Sequence, residues 1–258
     1  MTPLEITFLG TGTSRGVPVI GCKCPVCVSE DTRNKRLRTS IRIRTKTLTL
    51  VVDCGPDFRQ QMLRSHTDKL DAILLTHEHN DHIIGLDDLR PFNTLQEKDM
   101  AVYATTQVQG HILQSFAYVF SSRPYPGGPM IRLHTLDKDQ VFQIEDLEII
   151  PIEVMHGKLP VLGFRIGNFT YITDIRTISE EELEKVKGTE TLVLGALQRK
   201  PYHSHLNLEE ALELIERITP KQAYLTHLSH FMGLHAEVSQ ELPFNVAIAY
   251  DGLVLNCQ

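Results

Sequence analysis

Thr76-His77-Glu78-His79-Asn80-Asp81-His82 places four ligand-type side chains, His77, His79, Asp81 and His82, within six residues. Ala72 to Leu75, just before it, reads as an apolar strand, and Ile83, Ile84, Leu86 and Leu89, just after it, have helical spacing. In an extended segment, side chains two apart point the same way, so His77 and His79 can offer imidazoles to a single ion. Asp81 and His82 fall where the chain bends into the helix and can be aimed at a second ion. Neutral imidazole nitrogens and carboxylate oxygens suit zinc, manganese or iron. The bland alternative is a solvated His-rich loop that binds nothing, and four such side chains at one strand end argue against it.

Further ligands must come from elsewhere in the chain. Three isolated positions qualify: His156 after Val154-Met155, Asp174 after Tyr171-Ile172-Thr173, and His227 after Tyr224-Leu225-Thr226. Each follows an apolar strand, where catalytic residues often sit. Taken singly, each is as readily a satisfied structural residue.

A second cluster lies in Cys22-Lys23-Cys24-Pro25-Val26-Cys27, which holds three of the five cysteines. That spacing suits one metal ion better than a disulfide framework. Three thiolates make three corners of a tetrahedral zinc site and need a fourth ligand to close it. His230, three residues beyond His227, is the best candidate, with Cys54 and Cys257 as substitutes. Free buried thiols are the alternative.

Composition sets the frame. The chain has 258 residues, 41% hydrophobic and 22% charged, with a formal net charge of -6, the profile of an ordinary globular protein. The charge disfavours holding long nucleic acid over the whole surface. A local basic cluster, Arg33, Lys35, Arg36, Arg38, Arg42, Arg44 and Lys46, reads either as an anion funnel or as a solvated hairpin face. The amino terminus has no basic segment before its short apolar run, and nothing approaches the roughly 18 apolar residues of a membrane span. The expectation is a cytoplasmic protein.

Strands are expected at Leu4 to Leu9, Ile41 to Arg44, Leu48 to Val52, Ala101 to Ala104, Val141 to Ile144, Leu147 to Val154, Gly163 to Ile166, Phe169 to Thr173, Leu192 to Leu194, Gln222 to Leu225, Val246 to Ala249 and Leu253 to Leu255. Helices are expected at Phe58 to Arg64, at Val108 to Phe120, from a Ser179/Glu182 capping box to about Lys187, and after Asn207, with Leu208, Ala211, Leu212 and Ile215 on one face. Ser121-Ser122-Arg123-Pro124-Tyr125-Pro126-Gly127-Gly128-Pro129 cannot be regular and is either a flap over a site or a surface connection. Strand clusters recur in both halves with no linker between, so residues 1-258 are expected to form one domain of two stacked sheets with outer helices, bearing a cysteine zinc-binding loop at about 21-28.

The run His77 to His82, followed in order by His156, Asp174 and His227, resembles the metallo-β-lactamase superfamily over essentially the entire chain. The resemblance implies an α/β fold, a four-layer αββα sandwich. It implies one ion held by His77, His79 and His156, a second held by Asp81, His82 and His227, and Asp174 bridging them. Asp53, which ends Leu50-Val51-Val52, matches a recurrent acidic position and would orient a ligand; otherwise it caps a turn. Against two divalent ions, Asp81, Asp174 and a hydroxide leave net positive charge, which favours an anionic substrate such as a phosphodiester attacked by metal-activated water. The cysteine cluster, framed by Gly10-Thr11-Gly12, Gly16-Val17-Pro18 and Gly21, and Asp251-Gly252 near the end narrow the resemblance to the PhnP-type phosphoribosyl 1,2-cyclic phosphate phosphodiesterases. That group implies a structural zinc, manganese or zinc at the catalytic centre, homodimers, and a histidine general acid, carried onto His205 with His203 as fallback.

The expected function is hydrolysis of a small, cyclic phosphodiester. An RNase Z-like tRNA endonuclease would use the same ligands and draw on the basic cluster. A cofactor-synthesis enzyme or a thioester hydrolase of the same superfamily is also compatible, whereas a metal-binding scaffold leaves the complete ligand set without a purpose.

Overall fold

In the computed structural model, which describes residues 2–121, 123 and 125–257, the apolar runs become strands buried on both faces. In Thr49–Val52, Leu50 and Val52 point into one core and Val51 into another, because successive side chains leave a strand on opposite sides. A strand of that kind reads as continuously apolar.

Two sheets result. The first runs in the order Val254–Cys257, Leu4–Gly10, Ser40–Arg44, Thr49–Val52, Ala72–Leu74, Met100–Ala104, Ile131–Thr135, antiparallel up to Thr49–Val52 and parallel from there on. The second runs Thr177–Ile178, Leu147–His156, Leu159–Ile166, Phe169–Ile172, Thr191–Gly195, Gln222–Thr226, Val246–Ile248, again antiparallel and then parallel, with Phe142–Ile144 beside Leu147–His156. Between the sheets lie Ile6, Phe8, Ile41, Leu74, Ile149, Phe164, Phe169 and Tyr171. Helices Phe58–Arg64, Arg90–Gln96 and Thr106–Ser115 cover the outer face of the first sheet. Glu180–Val186, Leu208–Ile218 and His235–Glu241 cover that of the second. Three apolar cores thus separate four layers, as the sandwich requires. Among the described residues, no helix is long and apolar enough to cross a membrane.

The differences from expectation have local causes. The helix expected over Val108 to Phe120 is two, Thr106–Ser115 and Ala117–Phe120, because Phe116 leaves helical geometry (φ -115°, ψ 37°) and is buried in the core. Ser179 caps its helix through the Glu182 backbone, but the Glu182 carboxylate turns to the Glu153 N–H and Lys185 instead of closing a box. Leu214 rather than Leu212 is buried on the face of Leu208–Ile218, while Asn207 and Glu210 form a complete capping box there. Of the 121–129 stretch, Ser122 and Pro124 lie outside the described residues. The remainder contains a turn closed by Gly128 N–H on the Tyr125 carbonyl, and beyond it Met130 bonds Asn93 of the helix Arg90–Gln96.

The basic cluster is not a charged face. Arg36 is buried, donating to Thr11 and the Ala249 carbonyl, and Arg42 is buried against Ser65, Thr7 and Glu5. Arg33 pairs with Asp31 and Arg38 with Asp57. Buried guanidiniums with five donors serve as braces between elements, so the run of like charge along the sequence disperses in space.

Candidate metal centre

The parallel halves of both sheets end at one edge, and every candidate ligand follows a strand that ends there. Asp53 follows Thr49–Val52, the His77 to His82 run follows Ala72–Leu74, Asp174 follows Phe169–Ile172, and His227 follows Gln222–Thr226. His156 closes Leu147–His156. In open parallel sheets, the crevice beyond the carboxyl ends of the strands is where ligands bind.

These side chains converge. His77 Nε2 lies 3.0 Å from His79 Nδ1, close to the roughly 3.3 Å expected of two nitrogens sharing a tetrahedral ion. The His79 and His156 rings are 5.3 Å apart. His82 Nε2 stands 3.3 Å from Asp81 and 3.4 Å from Asp174, and His227 Nδ1 stands 3.2 Å from Asp174. The seven residues His77, His79, Asp81, His82, His156, Asp174 and His227 are thus brought together, with His79 exposed at the opening and His77, His82 and His227 buried.

Whether they suit a cation is tested by one atom. His82 Nε2 is buried with no well-aligned hydrogen bond, and it faces the carboxylates of Asp81 and Asp174 at 3.3 and 3.4 Å, the surroundings that a cation would fill. The other nitrogen of the ring, Nδ1, is 2.7 Å from Asp53 Oδ2; burial lowers the His82 pKa, but Asp53 and Asp174 outweigh it and raise it well above the ordinary range, so a cation at Nε2 would take the place of a proton there. Metal-binding histidines commonly hand their other ring N–H to a carboxylate or a backbone carbonyl in this way. Donor types and geometry therefore fit divalent ions. His77, His82 and Asp174 form one group whose ligand atoms lie within 4.8 Å of one another, and His156, Asp174 and His205 form another.

Electrostatics follow the same plan. Burial pushes the Asp174 carboxyl up, but His227, His82, His77 and His205 around it outweigh burial and hold it well below the usual carboxylate range. Burial lowers the pKa of His77, His79 and His227, leaving neutral imidazoles, the form in which histidine ligates. His205 Nδ1 sits 3.9 Å from Asp174 and its ring 4.4 Å from that of His156; burial, followed by His227, lowers its pKa to about 3. His203 is exposed and packs on Tyr202 instead.

Several residues that hold this arrangement were not singled out in the sequence. Thr76 donates to Asp53 and touches His77 Nδ1, and Thr173 donates to Asp174 at 2.6 Å. The Ser204 carbonyl accepts from His156 Nδ1 at 2.8 Å. One signal was available: a threonine directly precedes His77, Asp174 and His227. Asp53, Asp174 and His227 also adopt positive φ (66°, 45° and 58°), a conformation that costs non-glycine residues about 1–3 kcal/mol and gathers at functional sites.

Two glycines allow the ligand run its close approach. A Cβ on Gly55 would meet the Asp81 carbonyl at 2.0 Å, and one on Gly85 would meet the Gly55 carbonyl at 2.1 Å. Gly55→Ala is expected to displace Asp81 and His82 and to lower stability by about 1–3 kcal/mol, the usual result of overpacking. A denaturant midpoint matching that of the unaltered protein would show that the backbone yields without strain.

The cysteine cluster forms a second, separate site. His230 Nδ1 lies 3.4, 3.3 and 3.5 Å from the sulfurs of Cys22, Cys24 and Cys27, against about 3.5 Å for sulfur and nitrogen on a tetrahedral zinc. Cys54 and Cys257 are buried elsewhere in the cores. Of the three candidates for the fourth corner, His230 is the one at the thiols.

Comparison with known proteins agrees with this architecture. A family described as the beta-lactamase superfamily domain matches residues 49–228. A solved structure described as a diphosphatase from the PhnP family is 35% identical, covers 99% of this chain and 97% of its own, and superimposes with a TM-score of 0.93. The chain therefore belongs to the metallo-β-lactamase superfamily, on its PhnP-like branch. A Porphyromonas gingivalis protein named octanoyltransferase is 45% identical over 252 residues, 97% of this chain but 51% of its own length. A ribonuclease Z of Acaryochloris marina is 28% identical over 168 residues, 63% of this chain and 47% of its own. The chain thus spans about half the length of these two relatives.

Proposed function

We propose that this chain is a metal-dependent phosphodiesterase that hydrolyses a small phosphodiester, cyclic ones included. The observation that carries the reading is the meeting of His77, His82 and His227 around Asp174, with His82 Nε2 buried between the Asp81 and Asp174 carboxylates. His77, His79 and His156 would hold one ion, Asp81, His82 and His227 the other, and Asp174 would lie between them. When bound, manganese or zinc supplies Lewis acidity, bringing water to nucleophilic strength near neutral pH and offsetting charge on phosphoryl oxygens.

The chain's own residues do the rest. Asp81 and Asp174, the only carboxylates in the proposed ligand set, do not neutralise two divalent ions, so the centre draws in an anion. Asp53 orients the His82 ring through Nδ1. His205 would donate a proton to the leaving alkoxide: it is neutral in the free protein, and an anionic substrate lying against it would raise its basicity. His203, one position further out, is the alternative donor. Cys22, Cys24, Cys27 and His230 would hold a structural zinc. A homodimer, by analogy with the PhnP group, and a single cytoplasmic domain, as the sequence pattern suggests, complete the proposal.

One observation favours a second reading. The relative named octanoyltransferase shares 97% of this chain, although the match spans 51% of that protein's own length, and the second reading it prompts is acyl-group chemistry such as hydrolysis of an acyl thioester. The test is a panel run on protein loaded with manganese or zinc: an aryl phosphodiester, a ribose cyclic phosphate, a diphosphate, precursor tRNA and an octanoyl thioester. Hydrolysis of the first two is expected. Protein carrying two catalytic ions per chain that cuts only the thioester would overturn the phosphodiesterase reading.

A further inference from the structure

Four rings lead outward from the buried centre. His82 and His227 lie 6.0 Å apart and nearly parallel at 16°, His227 and His205 lie 4.9 Å apart at 21°, and His205 and Tyr202 lie 5.8 Å apart at 41°. Tyr202 is 40% exposed, and its other neighbour is His203, 4.5 Å away and itself exposed. Tyr202 and His203 thus place aromatic surface in solvent one ring beyond the residue that faces Asp174.

The segment that carries them is held at both ends. Ser204 accepts from His156, the Leu206 N–H bonds the Ile175 carbonyl, the Leu197 N–H bonds the Leu206 carbonyl, and the Leu208 N–H bonds the Gln198 carbonyl. Pro201 fixes the backbone just before Tyr202. Contact surface on such a segment is already ordered, so a ligand that covers it meets little entropic cost. Tyrosine suits the task because it offers a broad face with only two rotatable side-chain bonds. By contrast, the fully buried Tyr171 serves the core, with its hydroxyl 3.3 Å from Thr39.

We infer that Tyr202 and His203 form a stacking platform for a nucleobase, so that the substrate is a phosphodiester of a nucleoside. The inference rests on the phosphodiesterase reading for its direction: if His205 serves the leaving alkoxide, the leaving group lies on the Tyr202 side, and a single ribose bridges phosphate and base. Every base presents a π-face, so stacking gives affinity for bases as a class without selecting one.

The chain has no tryptophan, so Tyr202→Trp installs a single tryptophan on the platform, which is excited selectively at wavelengths where tyrosine does not absorb. Titration of the metal-loaded variant with adenosine 5′-monophosphate is expected to quench its fluorescence at concentrations where ribose 5-phosphate does not. In parallel, kinetics compare adenosine 2′,3′-cyclic phosphate with a ribose cyclic phosphate lacking the base. Tyr202→Ala is expected to raise the ratio of the two KM values about tenfold, within the range for loss of one stacked base, with Tyr202→Phe restoring it. Quenching by adenosine monophosphate without hydrolysis of either diester would uphold the platform and remove the phosphodiesterase reading. Hydrolysis with an unchanged KM ratio in Tyr202→Ala, or equal quenching by both ligands, would overturn the platform.

Discussion

Asp174→Ala is expected to lower kcat/KM for phosphodiester hydrolysis by about three orders of magnitude or more, equivalent to roughly 4 kcal/mol of barrier. Asp174 is buried at positive φ, accepts from Thr173, and stands within 3.4 Å of His82 and His227. Ligand groups that follow Gln222–Thr226 and Ala72–Leu74 meet at its carboxylate, and in the proposed arrangement it is the residue that would serve both ions. Removing it leaves two imidazoles without their shared anion and lowers the affinity for both ions. Asp174→Asn keeps the shape and loses the charge, and a comparable fall is expected. The measurement is kcat/KM together with metal content per chain. Full activity with two ions retained in Asp174→Ala would place the reaction elsewhere.

Cys24→Ala is expected to release about one zinc per chain and to lower the melting temperature by roughly 10 °C, the effect of a few kcal/mol on a chain of this size. Burial works against ionising Cys24, but hydrogen bonds from the Cys27 backbone and from His230 outweigh it and bring its thiol below the ordinary range, whereas burial pushes Cys27 up. The site thus offers a thiolate in advance of a cation. Its loss reaches the proposed catalytic centre through Leu228 and Ser229, which join His227 to His230 and are pinned by Thr11, Thr13 and Leu197. Activity should therefore fall in Cys24→Ala, but by less than in Asp174→Ala. His79→Ala, at the exposed edge of the other centre, should keep this zinc. Metal analysis decides the matter: a zinc that stays in Cys24→Ala would show that the sulfurs do not hold it.

The ligand run was legible because its information is local. An apolar strand followed by His77, His79, Asp81 and His82 declares both its geometry and its donors within a dozen residues, and the same holds for Cys22, Cys24 and Cys27. Apolar runs likewise marked most strands, since burial on both faces leaves no polar interruption. The strand Ile131–Thr135 was missed because only Ile131, Leu133 and His134 are even partly buried there, as befits an edge strand with one neighbour. Val108 to Phe120 was read as one helix because periodicity cannot register a single residue, Phe116, whose backbone yields to the core.

By itself, then, the sequence determined the donor types, their order along the chain and a fold able to gather them. The tertiary structure decided which donors meet. His156 and His205 are far apart in the chain, yet their rings lie 4.4 Å apart beside Asp174, and of the seven basic residues between Arg33 and Lys46 two, Arg36 and Arg42, turn inward as buried braces. The physical reason is that a strand end commits a side chain to an edge of a sheet, while the partner across that edge depends on how two sheets stack, and stacking is settled by long-range packing that no local pattern encodes.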